Sequence, residues 1–272
     1  MAIAAVTPAE LCDIAVAEKR DWLEEIVKAV TEDGVSVETT VLVGKPFIEI
    51  IRQVLRNEHD LIIKCAEGST SLRDTLFGST DMHLMRKCPC PVWINKPTEH
   101  PHYRRILAAV DQDPEDAVKD VLNRQILEMS SSLALTESSE LHIVHVWRLL
   151  GEVHYARAGI LEAEIEAMVA EEASKRRHWL RDLVNRYGAK PDKDVLDFPE
   201  SQLHVIQGNA KHHIAATARD LDADLVVMGT VAHARVAGFF MGNTAESTLT
   251  QLNCSVLTIK PPDFVSPITL VG

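Results

Sequence analysis

From residue 104 onward, short apolar runs alternate with longer stretches whose apolar positions recur every three to four residues. "RRILAAVD" (104–111), "LHIVHVW" (141–147), residues 202–206, "DLVVMG" (224–229) and "SVLTIK" (255–260) are continuous apolar runs of strand length. Between them, Leu161, Ile165, Met168, Leu180, Leu183, Val184 and Tyr187 trace one face of a long helix. Further helices are predicted over 209–221 and 243–252. Apolar strands separated by helices describe a parallel sheet covered on both faces, so the fold class is α/β. Near the start, Thr7-Pro8-Ala9-Glu10 combines a capping box with proline at the first helical position and opens a helix over 8–31. "VSVETTVLV" (35–43), "DLIIKCA" (60–66) and "PVWINK" (91–96) read as three strands. "PTEHPHY" (97–103) has two prolines and no apolar periodicity, which marks a linker.

These elements belong to a repeat. "GKPFIEIIRQVLRNEHDLIIKCAEGSTSLRDTLFGSTDMHLMRKCPCPVWINKP" (44–97) aligns without a gap on "GNAKHHIAATARDLDADLVVMGTVAHARVAGFFMGNTAESTLTQLNCSVLTIKP" (208–261). Adding 164 carries Gly44 to Gly208, Asp60 to Asp224, Gly78 to Gly242, Cys90 to Cys254 and Lys96-Pro97 to Lys260-Pro261. Upstream, "KRDWLEEIV" matches "RRHWLRDLV" at an offset of 157, pairing Trp22 with Trp179. So many matches in one register identify a duplicated unit. The expected division is a first copy over 1–97, a linker at 98–102, a second copy over 103–262 and a tail at 263–272. Nothing ahead of Thr7 corresponds to the first strand, first helix and second strand of the second copy, roughly 50 residues by ordinary element lengths. The expected architecture is therefore two tandem doubly wound sheets of five parallel strands in the order 3-2-1-4-5, the first lacking its opening strand-helix-strand.

The "LAAVD" strand, the "VVMG" strand, the spaced glycines and the endings "CPVWINKP" and "CSVLTIKP" resemble the universal stress protein family in its tandem form. The resemblance covers about 7–97 and 103–261, and "MGNTAE" with "FGSTDMHLMRKCPCPVW" is most similar to the bacterial E-type members. It implies a Rossmann-like fold, of the adenine nucleotide hydrolase-like kind, and pairing of the two copies through their last strands, "PVWINK" and "SVLTIK". It also implies a homodimer as the assembly and a cytoplasmic, non-catalytic role in resisting stresses such as DNA damage or starvation.

Nucleotide-binding members of that family carry G-x2-G-x9-G-S/T, with an aspartate closing the first strand. Glycines let backbone amides close on phosphate oxygens, and a helix N-terminus adds a favourable field. The second copy retains Asp111, Gly229 and Gly242, but has Ala232 for the middle glycine and Asn243, followed by Thr244, for the serine or threonine. The first copy has Cys65 for the first glycine, keeps Gly68, Gly78 and Ser79, and has no first strand to supply the aspartate. Two readings follow. In one, Gly229, Gly242, the amides of Asn243 and Thr244, and Arg235 hold the phosphates of ATP or AMP in the second copy, with Asp111 and the Val146 backbone at ribose and base. In the other, the glycines only permit turns, Asn243 caps a helix with Glu246 at its third position, and Ser79 caps its counterpart. The second reading is preferred: degenerate loops and no required cofactor. A slow ATPase or nucleotide sensor, and a carrier of an apolar or lipid-like ligand, are the alternatives.

Composition narrows the rest. With 28 basic against 40 acidic residues the net charge is −12, which disfavours nucleic acid and anionic lipid as partners. No apolar run has the length of a membrane span, and the first residues lack the basic flank of a signal peptide. Five irregularly spaced cysteines suggest a reducing compartment, and Cys88-Pro89-Cys90, just ahead of a strand as Cys254 is, reads as buried structural thiol. Asp111-Gln112-Asp113 with Glu115-Asp116 reads as a solvated strand-end loop. The adjacent His212 and His213 diverge by about 100° on a helix and cannot share an ion. The other histidines are expected at the surface. Phe239-Phe240-Met241 reads as packing. No metal site, catalytic triad or paired-carboxylate motif is identified, so no enzyme is expected.

Overall fold

The computed structural model describes residues 7–31, 34–66, 77–98, 102–112, 117–149, 151, 160–188, 202–230 and 241–270. Contacts group the chain into residues 1–50 and residues 51–272.

The first group opens with α1 (Pro8–Thr31). Its capping box forms as the sequence predicts. The Thr7 amide and hydroxyl donate to Glu10 Oε2 at 2.7 and 2.8 Å, and the Glu10 amide donates back to Thr7 Oγ1 at 3.3 Å. The strand expected over 35–43 does not form: these residues carry no strand and all but Val41 are exposed. The reason is physical. A strand satisfies its amides only through a neighbour; in the second copy the equivalent strand pairs with "LHIVHVW", and no described residue of the first copy matches that segment. Helix α2 (Pro46–Asn57) follows.

In residues 51–272 the strands form one sheet. Along the chain come β1 (Ile62–Cys65), α3 (Ser79–Lys87), β2 (Val92–Asn95), β3 (Arg105–Ala109), α4 (Ala117–Glu137), β4 (Glu140–Trp147) and α5 (Glu162–Tyr187). Then come β5 (Leu203–Gln207), α6 (Ala210–Asp220), β6 (Leu225–Gly229), α7 (Asn243–Leu249) and β7 (Ser255–Ile259). The sheet order is β1-β2-β7-β6-β3-β4-β5. Its second-copy part, β5-β4-β3-β6-β7, is parallel throughout and reproduces the expected 3-2-1-4-5 winding. Among the described residues the first copy supplies only β1 and β2, parallel to each other, with β1 at the edge of the sheet.

The copies join where β2 and β7 run antiparallel, Val92 facing Thr258, Trp93 facing Leu257 and Ile94 facing Val256. Under the 164-residue offset Val92, Trp93 and Ile94 correspond to Val256, Leu257 and Thr258, so Trp93 faces its own equivalent and the Val92–Thr258 pair is the mate of the Ile94–Val256 pair. A pseudo-two-fold axis passes between the equivalent positions 93 and 257. Side chains fasten the seam: Ser255 Oγ accepts the Lys96 amide at 3.0 Å and donates to Asn95 Oδ1 at 3.1 Å. Arg86 of α3 pairs with Glu246 of α7 at 2.8 Å.

The duplication is also written in the backbone. Gly44 and Gly208, equivalent residues, have φ of +147° and +150°. A Cβ there would lie 2.9 Å from Glu49 Cγ and 2.2 Å from His213 Nε2, and those two side chains are themselves equivalent. The core lies mainly on the sheet face carrying Ile106, Ile143, Leu225 and Leu257, against Ile126 and Leu127 of α4 and Leu180 and Leu183 of α5. Among the described residues no helix is long and apolar enough to cross a membrane.

Candidate functional site

In a doubly wound sheet the helices cross to opposite faces on either side of the first strand, leaving a crevice at the carboxyl ends of the strands. Here that strand is β3, flanked by β4 and β6. A cleft lies at this point, lined by Asp111 after β3, Val146 on β4, Gly229 ending β6, and Gly242 and Thr244 at the start of α7. Five of the seven residues singled out in the second copy thus converge. Asn243 is not among the described lining residues, and Arg235, with Ala232, lies in 231–240, outside the described residues.

The N-terminus of α7 corrects one expectation. The residue capping α7 is Gly242, not Asn243, which occupies the first helical turn without a side-chain cap bond. Likewise α3 is preceded by Gly78, whose amide donates to Asp81 Oδ2 at 3.1 Å, while Ser79 already belongs to the helix. A glycine accepts the extended dihedrals of the cap position and moves each polar residue one place inward.

Sequence reasoning missed the wall contributed by α4. Lys119, Leu122, Asn123 and Ile126 stand at i, i+3, i+4 and i+7 and all line the cleft. Lys119 Nζ lies 2.7 Å from Asp111 Oδ2. Asn123, almost fully buried, accepts the Asp111 amide at 3.1 Å and donates to the Asp111 carbonyl at 2.7 Å. Leu122 explains Gly229: a Cβ at 229 would come 2.7 Å from Leu122 Cδ2. The helical spacing of these residues was the available signal.

The first copy fills the equivalent positions differently. Cys65 ends β1 and is exposed, and Gly68 falls in 67–76, outside the described residues. Met228 and Ala245, which line the second-copy cleft, correspond to Lys64 and Asp81. Those two form an ion pair of 2.8 Å, with the Asp81 side chain fully buried. An internal charge pair occupies the place of the cleft wall.

Beside the cleft sits Lys260, 5% exposed, donating to the Met85 carbonyl and to Thr230 Oγ1, with Nζ 5.1 Å from the Phe264 ring centroid. Its equivalent, Lys96, is partly exposed and donates to Asn253. Burial pushes the pKa of Lys260 down to about 7. The unfolded chain would keep that proton to about 10.5, so between these values it binds more protons and stability climbs with pH. Cys90, held low by the Cys88 thiol, adds in the same direction below pH 9. Cys254, pushed up to about 12 by burial, and Cys88, pushed up by its bond to Cys90 and by burial, act oppositely above their unfolded value of 9. Urea unfolding should therefore show stability rising by about 2 kcal/mol from pH 7 to 9 and turning over beyond. Lys260→Met should remove most of that rise; an unchanged profile would refute the assignment.

The histidines are not all at the surface. His145 is buried against Trp179, with ring centroids 4.9 Å apart, and His142 approaches His204 with Nδ1 and Nε2 at 3.1 Å. Burial lowers the pKa of all three, so their contribution to stability is lost as pH falls below 6.5. Among the described residues no group of three or more His, Cys, Asp or Glu could hold a metal ion.

The family model described as the universal stress protein family matches residues 4–96 and 102–260. Universal stress protein E of Salmonella typhi is 31% identical over 257 residues, covering 94% of this chain and 78% of the relative. The protein of the same name from Escherichia coli K12 is 30% identical over the same extent. Among solved structures, a Pseudomonas aeruginosa UCBPP-PA14 protein described as a universal stress protein superposes with a TM-score of 0.71 at 27% identity, covering 90% of this chain and 79% of that one. One from Archaeoglobus fulgidus gives 0.56 at 19% identity over 94% of this chain and 80% of that one, a likeness of fold.

Proposed function

The chain belongs to the universal stress protein family, and on that footing we propose that it serves the stress response as a cytoplasmic, non-catalytic protein whose second-copy cleft no longer holds adenine nucleotide firmly. The observation that carries this reading is the inward engagement of the residues a nucleotide would use. Lys119 neutralises Asp111, and Leu122 fills the space that makes Gly229 a glycine. In the first copy the Lys64–Asp81 pair stands in the equivalent place.

A nucleotide sensor or slow ATPase is the second reading. It is favoured by the convergence of five sequence candidates at the switch point of the sheet. Ala232 separates the two. In the family pattern a glycine stands at this position and a β-carbon would hinder approach of backbone to phosphate, so Ala232→Gly should strengthen ATP binding about tenfold, or roughly 1.4 kcal/mol. Isothermal titration of both proteins is the test. Tight binding by the parent, weakened by the glycine, would establish the alanine as part of a working site.

A further inference from the structure

Cys88-Pro89-Cys90 joins the end of α3 to β2, and its two sulfurs lie 3.5 Å apart with both thiols free and buried. The segment is held in this approach. The Cys88 amide donates to the Leu84 carbonyl at 2.9 Å and the Ile62 amide to the Pro91 carbonyl at 3.0 Å. Prolines at 89 and 91 restrict the backbone on both sides of Cys90. The repeat supplies an internal control. The equivalent residues are Leu252-Asn253-Cys254, and Leu252 and Cys254 are buried just as the two cysteines are. Leucine satisfies the packing at that position, so a second sulfur facing the first is not demanded by the fold.

We propose that Cys88 and Cys90 are a dithiol redox site that hydroperoxides oxidise to an intramolecular disulfide. Cys90, 9% exposed where Cys88 is fully buried, is the attacking group. The Cys88 thiol hydrogen-bonds to its sulfur and holds it below the usual thiol range, while that bond and burial push Cys88 up. The Cys90 thiolate attacks one oxygen of hydrogen peroxide: the S–O bond forms, the O–O bond breaks, and the departing hydroxide is protonated to water. The Cys88 sulfur, giving up its proton, then attacks the Cys90 sulfenic sulfur, forming the S–S bond and releasing the second oxygen as water. Two thiols lose two electrons and the peroxide is reduced to two waters. Pro89 and Pro91, on either side of Cys90, line a cleft with Lys260, Pro261 and Phe264. A disulfide spanning one intervening residue is strained and readily reduced, so the site is reversible.

The test uses the full chain with the two more accessible thiols removed, Cys12→Ser and Cys65→Ser. After stoichiometric hydrogen peroxide, alkylation and peptide mapping should find a Cys88–Cys90 disulfide that dithiothreitol reverses. With Cys88→Ser added, dimedone should trap sulfenic acid at Cys90, and with Cys90→Ser added instead, labelling at Cys88 should fall at least about tenfold. Because the first experiment keeps both cysteines, it does not depend on either variant folding. Unreacted thiols at 88 and 90, or oxidation there only to irreversible acids, would overturn the proposal.

Discussion

Residues 1–97 expressed alone will show no cooperative unfolding transition, whereas residues 103–272 will fold. The first copy supplies two short strands. One neighbour of β2 is β7, which belongs to the second copy, and the outer edge of β1 is unpaired within the sheet. Ile63 on that edge strand is 64% exposed, and Leu11, Ile14, Trp22 and Ile26 along α1 are exposed as well. Apolar surface left in water stabilises nothing, and a fragment with two strands cannot supply the core a domain needs. The second copy has five parallel strands and the buried cluster between them and α4 and α5. Cutting it free exposes β7, whose present partner is its own repeat equivalent. The pseudo-two-fold seam therefore predicts that 103–272 pairs β7 with β7 and runs as a dimer on gel filtration. A soluble, cooperatively melting monomer of 1–97 by circular dichroism would defeat this account.

Lys64→Met will destabilise the full chain by about 3 kcal/mol, because it leaves the Asp81 carboxylate buried without its cation. Asp81 would keep the hydrogen bond from the Gly78 amide. The double variant Lys64→Met/Asp81→Ala installs the Met228 and Ala245 of the second copy and leaves no buried charge. It should recover most of the loss, giving a large favourable coupling in a double-mutant cycle read from urea midpoints. A cost below about 1 kcal/mol for Lys64→Met would show that the pair is effectively solvated.

Signals that are local in the chain are legible in the sequence itself. Thr7 and Glu10 meet within one helical turn, and the continuous apolar runs at β3, β4, β6 and β7 match strands buried on both faces. The duplication is legible because equivalent glycines answer the same backbone demand, as Gly44 and Gly208 do. What is not legible depends on partners distant in sequence. Residues 35–43 have strand composition, but strand formation is a property of pairs. Asn243 is a good cap by type, yet Gly242 already holds the cap dihedrals. The meeting of Lys64 with Asp81 and of Lys119 with Asp111 arises from how helices lie on the sheet. Lys64, a charge inside the run "DLIIKCA", is nonetheless a visible anomaly.

The central claim is that the second-copy cleft is no longer a firm nucleotide site. Native mass spectrometry of the freshly purified full chain, followed by denaturation and identification of any released molecule, tests it most directly. The account predicts the mass of the chain without nucleotide, and no stable complex after addition of ATP at roughly 10 μM, a concentration that a firm site would bind. A long-chain acyl molecule released on denaturation would assign the cleft to an apolar ligand instead. One adenine nucleotide retained per chain through purification would contradict the claim.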